Sequence, residues 1–134
     1  MPTIRKEMPI AAGIDSVWAA FRDVGAVHRL APGFVTDCRM EEGGAARIVT
    51  FGNGMVAREV IVDVDDAGRR LAYAVVGGRL THHNASFEVI DDGPGRCRVV
   101  WRADLLPADL KPAIEGMMEQ GMLAMQRRLE GRAA

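Results

Sequence analysis

The chain has 134 residues, of which 49% are hydrophobic and 26% charged, and its formal net charge is −1. These values are typical of one soluble globular domain that is long enough to bury a core. No stripe of basic residues indicates nucleic-acid binding, and no run of about 18 apolar residues indicates membrane insertion.

The two ends and the cysteines add little to this description. The N-terminal segment lacks the apolar stretch of a secretory signal peptide. Cys38 and Cys97 do not form a CxxC motif, and two cysteines do not make a disulfide-rich scaffold. We therefore expect a cytoplasmic protein with one domain over residues 1–134.

The first part of the chain predicts one strand followed by two short helices. Ile4, Met8 and Ile10 lie on one face of TIRKEMPI, which indicates a strand with one buried side. In IDSVWAAFRDV the apolar residues recur at helical spacing, and Asp15 is placed to cap that helix. A glycine and a proline then bracket a second short helix, AVHRLA.

The middle of the chain changes to strand-like segments. The short turns GG, GNG, DDAGR, GG and DDGPG separate them, and connections of this length require antiparallel pairing. The six segments are GFVTDCRMEE, ARIVTF, MVAREVIVDV, RLAYAVV, LTHHNASFEVI and RCRVVWRADLL.

The last segment predicts one long helix. Asp109 is expected to cap it, and Pro112 falls in its first turn, where a missing N–H is tolerated. A curved antiparallel sheet has one face that needs cover, and this helix is the predicted element large enough to supply it. Its apolar stripe consists of Leu110, Ile114, Met117, Met118, Gly121, Met125 and Leu129.

These segments and their order resemble the START-like superfamily, specifically the SRPBCC proteins of the polyketide cyclase/dehydrase type. The resemblance is carried by IDSVWAAFRDV, by VAREVIVDVDDAGRRLAYAVVGGRL and by VVWRADLLP. It implies an α+β helix-grip fold, in which a curved seven-stranded antiparallel sheet wraps around the long C-terminal helix. Two short helices lie between strands 1 and 2. It also implies an apolar cavity for a small hydrophobic ligand.

Plant abscisic-acid receptors are more distant relatives in this resemblance. Thr36 stands where those receptors have a lysine that pairs with the ligand's carboxylate, and the turn GNG replaces their mobile gate loop. We therefore do not expect a hormone receptor that works by that gate. The residues predicted to bind a ligand are Thr36, Val49, Glu59, Tyr73, Val75, Leu80, His83, Ala85, Trp101, Met117, Gly121 and Met125.

His82 and His83 are neighbours on a predicted strand, where successive side chains point to opposite faces. They therefore cannot share an ion or a substrate. His83 falls on the apolar face with Ala85, Phe87 and Val89, whereas His82 falls on the face with Asn84, Ser86 and Glu88.

No HExxH or CxxC motif and no other cluster at ligand spacing indicates a metal site. Three interpretations of His83 remain open: it is a hydrogen-bonded core residue, a ligand contact, or a catalytic acid or base.

Two patterns conflict at Glu59. The alternation of its strand places the valines inward and Glu59 in solvent, whereas the resemblance places Glu59 in the pocket. A buried carboxylate needs a partner, which His83 or Tyr73 would supply. If Glu59 meets His83, the pKa of the imidazole should rise.

The predicted function is binding of a flat or branched hydrophobic compound with one or two polar groups, without a cofactor. Gly116 and Gly121 leave space on the last helix, and its methionines suit variable apolar ligands. Any chemistry would be proton transfer next to a carbonyl, as in cyclisation or dehydration, with His83 as acid or base and Glu59 orienting it. The alternatives are a non-catalytic carrier or sensor of lipid-like or quinone-like ligands, and a protein-interaction module. We expect a monomer or homodimer.

Overall fold

A computed structural model describes residues 2–131 of the chain. Seven antiparallel strands form one sheet in the order β1-β7-β6-β5-β4-β3-β2. The strands are β1 (Thr3–Ile10), β2 (Val35–Met40), β3 (Ala46–Phe51), β4 (Val56–Asp65), β5 (Arg70–Val76), β6 (His82–Asp91) and β7 (Cys97–Leu106). The α-helices within this range are α1 (Ile14–Arg22), α2 (Val27–Leu30) and α3 (Lys111–Leu129).

This architecture confirms the predicted helix-grip fold. Strands β2 to β7 pair with their neighbours in sequence, and β1 joins the sheet beside β7. The alternation in β1 is confirmed as well, because Ile4, Met8 and Ile10 are all buried. Pro9 is tolerated because an edge strand has hydrogen-bonded neighbours on one side only. The predicted domain also includes Met1 and residues 132–134, which lie outside the described residues.

Both predicted helix caps differ from the structure. Helix α1 begins one residue before Asp15, and extended Gly13 occupies the cap position without a side-chain bond. Asp15 instead lies in the first turn, where its carboxylate is 3.3 Å from the guanidinium of Arg69. Asp109 lies inside a 3₁₀ turn, Ala108–Leu110, that leads into α3, so it does not cap α3 either. Pro112 does fall in the first turn of α3, as predicted.

Strand β4 shows the reverse of what its alternation alone predicts. Glu59 is buried, whereas the side chains of Val56 and Val62 are each 62% exposed. The register of β4 against β5 shifts between Ile61 and Asp63, and beyond this irregularity Val64 packs against the core. The position of Glu59 therefore agrees with the resemblance and not with the valine pattern. The irregularity breaks the period of two, so Val64 lies on the opposite face from Val56 and Val62.

Helix α1 is attached to the turn between β4 and β5 by side-chain bonds. The indole Nε1 of Trp18 donates to Asp66 Oδ1 at 2.9 Å, and Arg22 Nε donates to the same oxygen at 2.7 Å. Asp66 thus satisfies the polar atom of a buried tryptophan from a distant part of the chain. These bonds hold α1 across the end of the sheet, where Phe21 reaches the core.

Gly121 does not leave empty space between α3 and the sheet. A Cβ built on it would lie 2.9 Å from Cε2 of Phe34 and 3.2 Å from Cζ3 of Trp101. The ring of Phe34, from the loop between α2 and β2, fills the notch that the glycine makes. This corrects the expectation that Gly121 opens a gap, because the occupant comes from a segment that the helical pattern could not indicate.

The two glycines of α3 give a matched test of this packing. Gly116→Ala should raise the free energy of unfolding by about 0.5–1 kcal/mol, because alanine is the better helix former and nothing lies near its Cβ. Gly121→Ala has the same gain in propensity but pushes against Phe34 and Trp101. We expect it to lower stability by about 1 kcal/mol in denaturant titrations. An equal gain at both positions would contradict the close packing at Gly121.

Candidate functional site

A cavity of about 140 Å³ lies between the inner face of the sheet, helices α1 and α2, and helix α3. Its wall is mostly apolar, and several aromatic rings contribute to it. Phe87 stacks on Trp101 with ring centroids 4.5 Å apart, and Phe21 lies 4.8 Å from Phe87. The further rings on the wall are Phe34, Phe51 and Tyr73.

Most of the predicted ligand-binding residues come together on this wall. They lie on strands β3 to β7, on the connection between β5 and β6, and on α3. The strand residues face the same space because alternate residues of a curved sheet point toward the covering helix. Those on the wall are Val49, Glu59, Tyr73, Val75, Leu80, His83, Trp101, Met117 and Met125.

Thr36, Ala85 and Gly121 lie elsewhere. Thr36 is exposed on the edge strand β2, and its hydroxyl donates to the carbonyl of Thr50 at 3.3 Å. Its neighbour Val35 faces the cavity instead, and the ladder shifts register just after Val35. Ala85 is buried within the sheet between Tyr73 and Ala103, and Gly121 is covered by the ring of Phe34.

A buried ion pair forms the polar end of the cavity. Arg47 and Glu59 are paired residues on β3 and β4, and Arg47 Nε donates to Glu59 Oε1 at 2.9 Å. Arg47 Nη1 also donates to the carbonyl of Val24, 2.9 Å away. The side chains of Arg47 and Glu59 are only 4% and 9% exposed, so each charge depends on the other.

The partner of Glu59 is therefore Arg47, and not His83 or Tyr73. Sequence reasoning missed Arg47 because an arginine in a strand is expected at the surface. A signal was present, however: Arg47 has the same parity in β3 as Val49, which was assigned to the pocket.

Tyr73 lies beside this pair. The guanidinium carbon of Arg47 is 5.5 Å from the centre of its ring, and its hydroxyl accepts a bond from Trp101 Nε1 at 3.0 Å. Burial, and then the nearby Glu59 carboxylate, raise the pKa of Tyr73 well above its ordinary value. The phenol is therefore neutral and keeps its own proton to donate.

His83 is held by the backbone of the neighbouring strand. The main-chain pairing of β5 with β6 ends at Tyr73 and Ala85, and beyond it the N–H of Val75 donates to His83 Nδ1 at 3.0 Å. Nδ1 must be unprotonated to accept this bond, so Nε2 carries the hydrogen of the neutral ring. Burial, with a smaller contribution from His82, lowers the pKa of His83 from 6.5 to about 4. The expected rise does not occur, because Glu59 has another partner.

His82 lies on the opposite face, as the strand parity predicts. It is exposed, and its Nε2 is 2.7 Å from Oδ1 of Asn84. Ser86, assigned to the same face, is nevertheless buried and only 7% exposed. It sits between Ala72 and Arg102 on the adjoining strands, which cover it.

These polar groups can bind more readily than they can transfer protons. His83 lines the cavity and has no free basic nitrogen, because Nδ1 accepts from Val75 and Nε2 carries the hydrogen, and the charge of Glu59 is neutralised by Arg47. In residues 2–131, no group of three or more His, Cys, Asp or Glu side chains is placed to hold a metal ion. In the same part of the chain, no helix is long and apolar enough to cross a membrane.

Comparisons with known proteins agree with this geometry. The sequence profile of the family described as "Polyketide cyclase / dehydrase and lipid transport" matches residues 1–130. The comparison with curated proteins gave no match.

Solved structures show the same fold. A START superfamily protein from Mycobacterium smegmatis is 16% identical with a TM-score of 0.72, and 96% of this chain aligns with 94% of that one. Norcoclaurine synthase from Thalictrum flavum is 19% identical with a TM-score of 0.73, over 94% and 91% of the two chains. The di-domain ARO/CYC BexL is 14% identical with a TM-score of 0.84, over 97% of this chain and 47% of that one.

The ion pair predicts a specific pattern of stabilities. Arg47→Met leaves Glu59 charged and buried, and should lower the free energy of unfolding by about 3–5 kcal/mol. Adding Glu59→Met should recover most of that loss. Arg58→Met is the matched control, because its pair with Glu41 lies at the surface and is worth about 0–1 kcal/mol. A double variant as unstable as Arg47→Met would show that the pair is not the cause.

The histidine predicts a pH dependence. The pKa of His83 is about 4 in the folded protein and 6.5 as the ordinary value, so the unfolded chain takes up the proton first. The stability contributed by neutral His83 is complete above pH 6.5 and is lost as the pH falls toward 4. His83→Phe should therefore reduce the loss of stability in this window, measured by denaturant titration at several pH values. His82→Phe, the same change on the solvent face, serves as the control. If the free energy of unfolding of His83→Phe falls with decreasing pH as steeply as that of the wild type, the result would contradict a neutral His83.

Proposed function

Because this chain belongs to the polyketide cyclase / dehydrase and lipid transport family, we propose that it binds a small hydrophobic molecule in the cavity beneath α3. The observation that carries the proposal is a mostly apolar cavity whose wall includes the buried polar side chains of Arg47, Glu59 and Tyr73 and the ring of His83. Sites for small molecules typically combine an apolar lining with a few polar groups that orient the ligand.

The size of the cavity limits the ligand. Its volume of about 140 Å³ is below the roughly 300–1,000 Å³ of pockets for drug-sized molecules. It is close to the volume of about 150 Å³ at which an engineered apolar cavity binds benzene. The body of the ligand is therefore about one aromatic ring in this conformation. A larger ligand needs Phe34 or the flexible methionines of α3 to move.

The polar groups favour binding over acid–base catalysis. A general base needs a free basic nitrogen or an unpaired carboxylate, whereas the Nδ1 of His83 already accepts a bond and the charge of Glu59 is paired with Arg47. What the site offers to a carbonyl is the neutral N–H of His83, which can polarise the carbonyl but cannot remove a proton. The carrier or sensor function is accordingly preferred to cyclisation or dehydration. Incubation with small ketones, followed by product analysis, would reveal turnover if it occurs.

Two neighbouring residues of β5 give a direct test of cavity binding. Val75 lines the cavity, whereas Val76 points the other way and is 41% exposed. Ethylbenzene, followed by NMR shifts or calorimetry, should bind the wild-type protein. Val75→Phe fills part of the cavity and should weaken this binding at least about tenfold, which corresponds to about 1.4 kcal/mol. Val76→Phe adds the same ring outside and should leave it unchanged. Equal effects of the two substitutions, or no binding to the wild type, would overturn the proposal.

A further inference from the structure

The positive charge on the cavity wall is already paired. Among the described residues of the wall, the charged side chains are one cation, Arg47, and two carboxylates, Glu59 and Asp23. Arg47 donates to Glu59 and to the carbonyl of Val24, both at 2.9 Å. A ligand carboxylate would therefore lose its hydration without gaining an ion pair, because the positive charge of Arg47 is already neutralised. It would also be repelled by two carboxylates on the wall.

The uncharged polar groups on the wall are hydrogen-bond donors. Nδ1 of His83 accepts from Val75, which leaves the Nε2–H to donate. The Tyr73 oxygen accepts from Trp101, which leaves its own O–H to donate. The two rings are close, with centroids 5.8 Å apart.

An uncharged carbonyl oxygen matches these donors. It has two lone pairs and can accept from one or both donors without the cost of burying an ion.

We propose that this cavity selects uncharged molecules with a hydrogen-bond-accepting oxygen, such as small ketones, and rejects carboxylates of the same size. The selection rests on the function proposed above, binding of a small hydrophobic molecule in the same cavity. It comes from the pairing of Arg47 with Glu59 and from the donors of His83 and Tyr73.

Three probes of similar size and different polarity test the selection. Acetophenone, benzoate and ethylbenzene are each titrated into the wild-type protein near neutral pH, where benzoate is an anion. Acetophenone should bind at least tenfold more tightly than benzoate, and more tightly than ethylbenzene. Benzoate binding as tightly as acetophenone would overturn the inference, and binding of ethylbenzene in the same experiment would leave the proposed function intact. If none of the three binds, both proposals fail together.

One substitution should reverse the discrimination against anions. Glu59→Gln keeps the shape of the side chain but releases the charge of Arg47, so benzoate should bind at least tenfold more tightly than to the wild type. Glu41→Gln makes the same change in the surface pair with Arg58 and should have no such effect. A folded Glu59→Gln protein that binds acetophenone but gains nothing for benzoate would overturn the role of the ion pair. If this variant is too unstable, the wild-type comparison of the three probes still decides the proposal.

A substitution of His83 tests its role as a hydrogen-bond donor. His83→Phe keeps a ring of similar size but removes both nitrogens, so acetophenone should lose its advantage over ethylbenzene. His82→Phe, on the opposite face of β6, should keep that advantage. If His83→Phe still binds acetophenone more tightly than ethylbenzene, His83 does not contribute to the selection.

Discussion

The buried ion pair between Arg47 and Glu59 is the interaction on which the interior of this protein depends. Neither charge is tolerable alone at that depth, and together they make the polar end of an otherwise apolar cavity. The pair also joins separate parts of the fold. It crosses from β3 to β4, and through the carbonyl of Val24 it reaches the segment between α1 and α2. The chemistry that the cavity can offer to a ligand is set by the way in which these two charges satisfy each other.

Much of the fold could be predicted because it follows from local periodicity. The change from helical spacing to a period of two, with glycine-rich turns, determines the order of the elements. The errors lie where two local signals compete. Gly13 caps α1 although Asp15 stands two residues later in the sequence, and the irregularity in β4 places Val64 on the face opposite Val56 and Val62. Competition of this kind is decided by tertiary packing, which a pattern within one element does not contain.

The candidate site could be predicted in part for the same reason. Strand parity alone separates His83 from His82, and the resemblance indicates Glu59. Which side chain pairs with which could not be predicted, because Arg47 and Glu59 meet only once the sheet has its register. The space near α3 could not be predicted either, since Phe34 comes from a loop that is far from Gly121 in sequence. A pattern within one element shows which side chains face inward, but does not show what fills the room between elements.

The bond between Val75 and His83 restricts which residues position 83 can accept. One edge of the imidazole replaces a main-chain acceptor at the point where the β5–β6 ladder ends, and the other nitrogen of the ring keeps a hydrogen to donate. Asparagine and glutamine also combine a neutral acceptor with a neutral N–H donor, but on flexible stems and at one end of the side chain. Histidine places the two on separate edges of a rigid ring. A substitution at this position therefore changes the sheet and the cavity wall together, so neither property can evolve independently of the other.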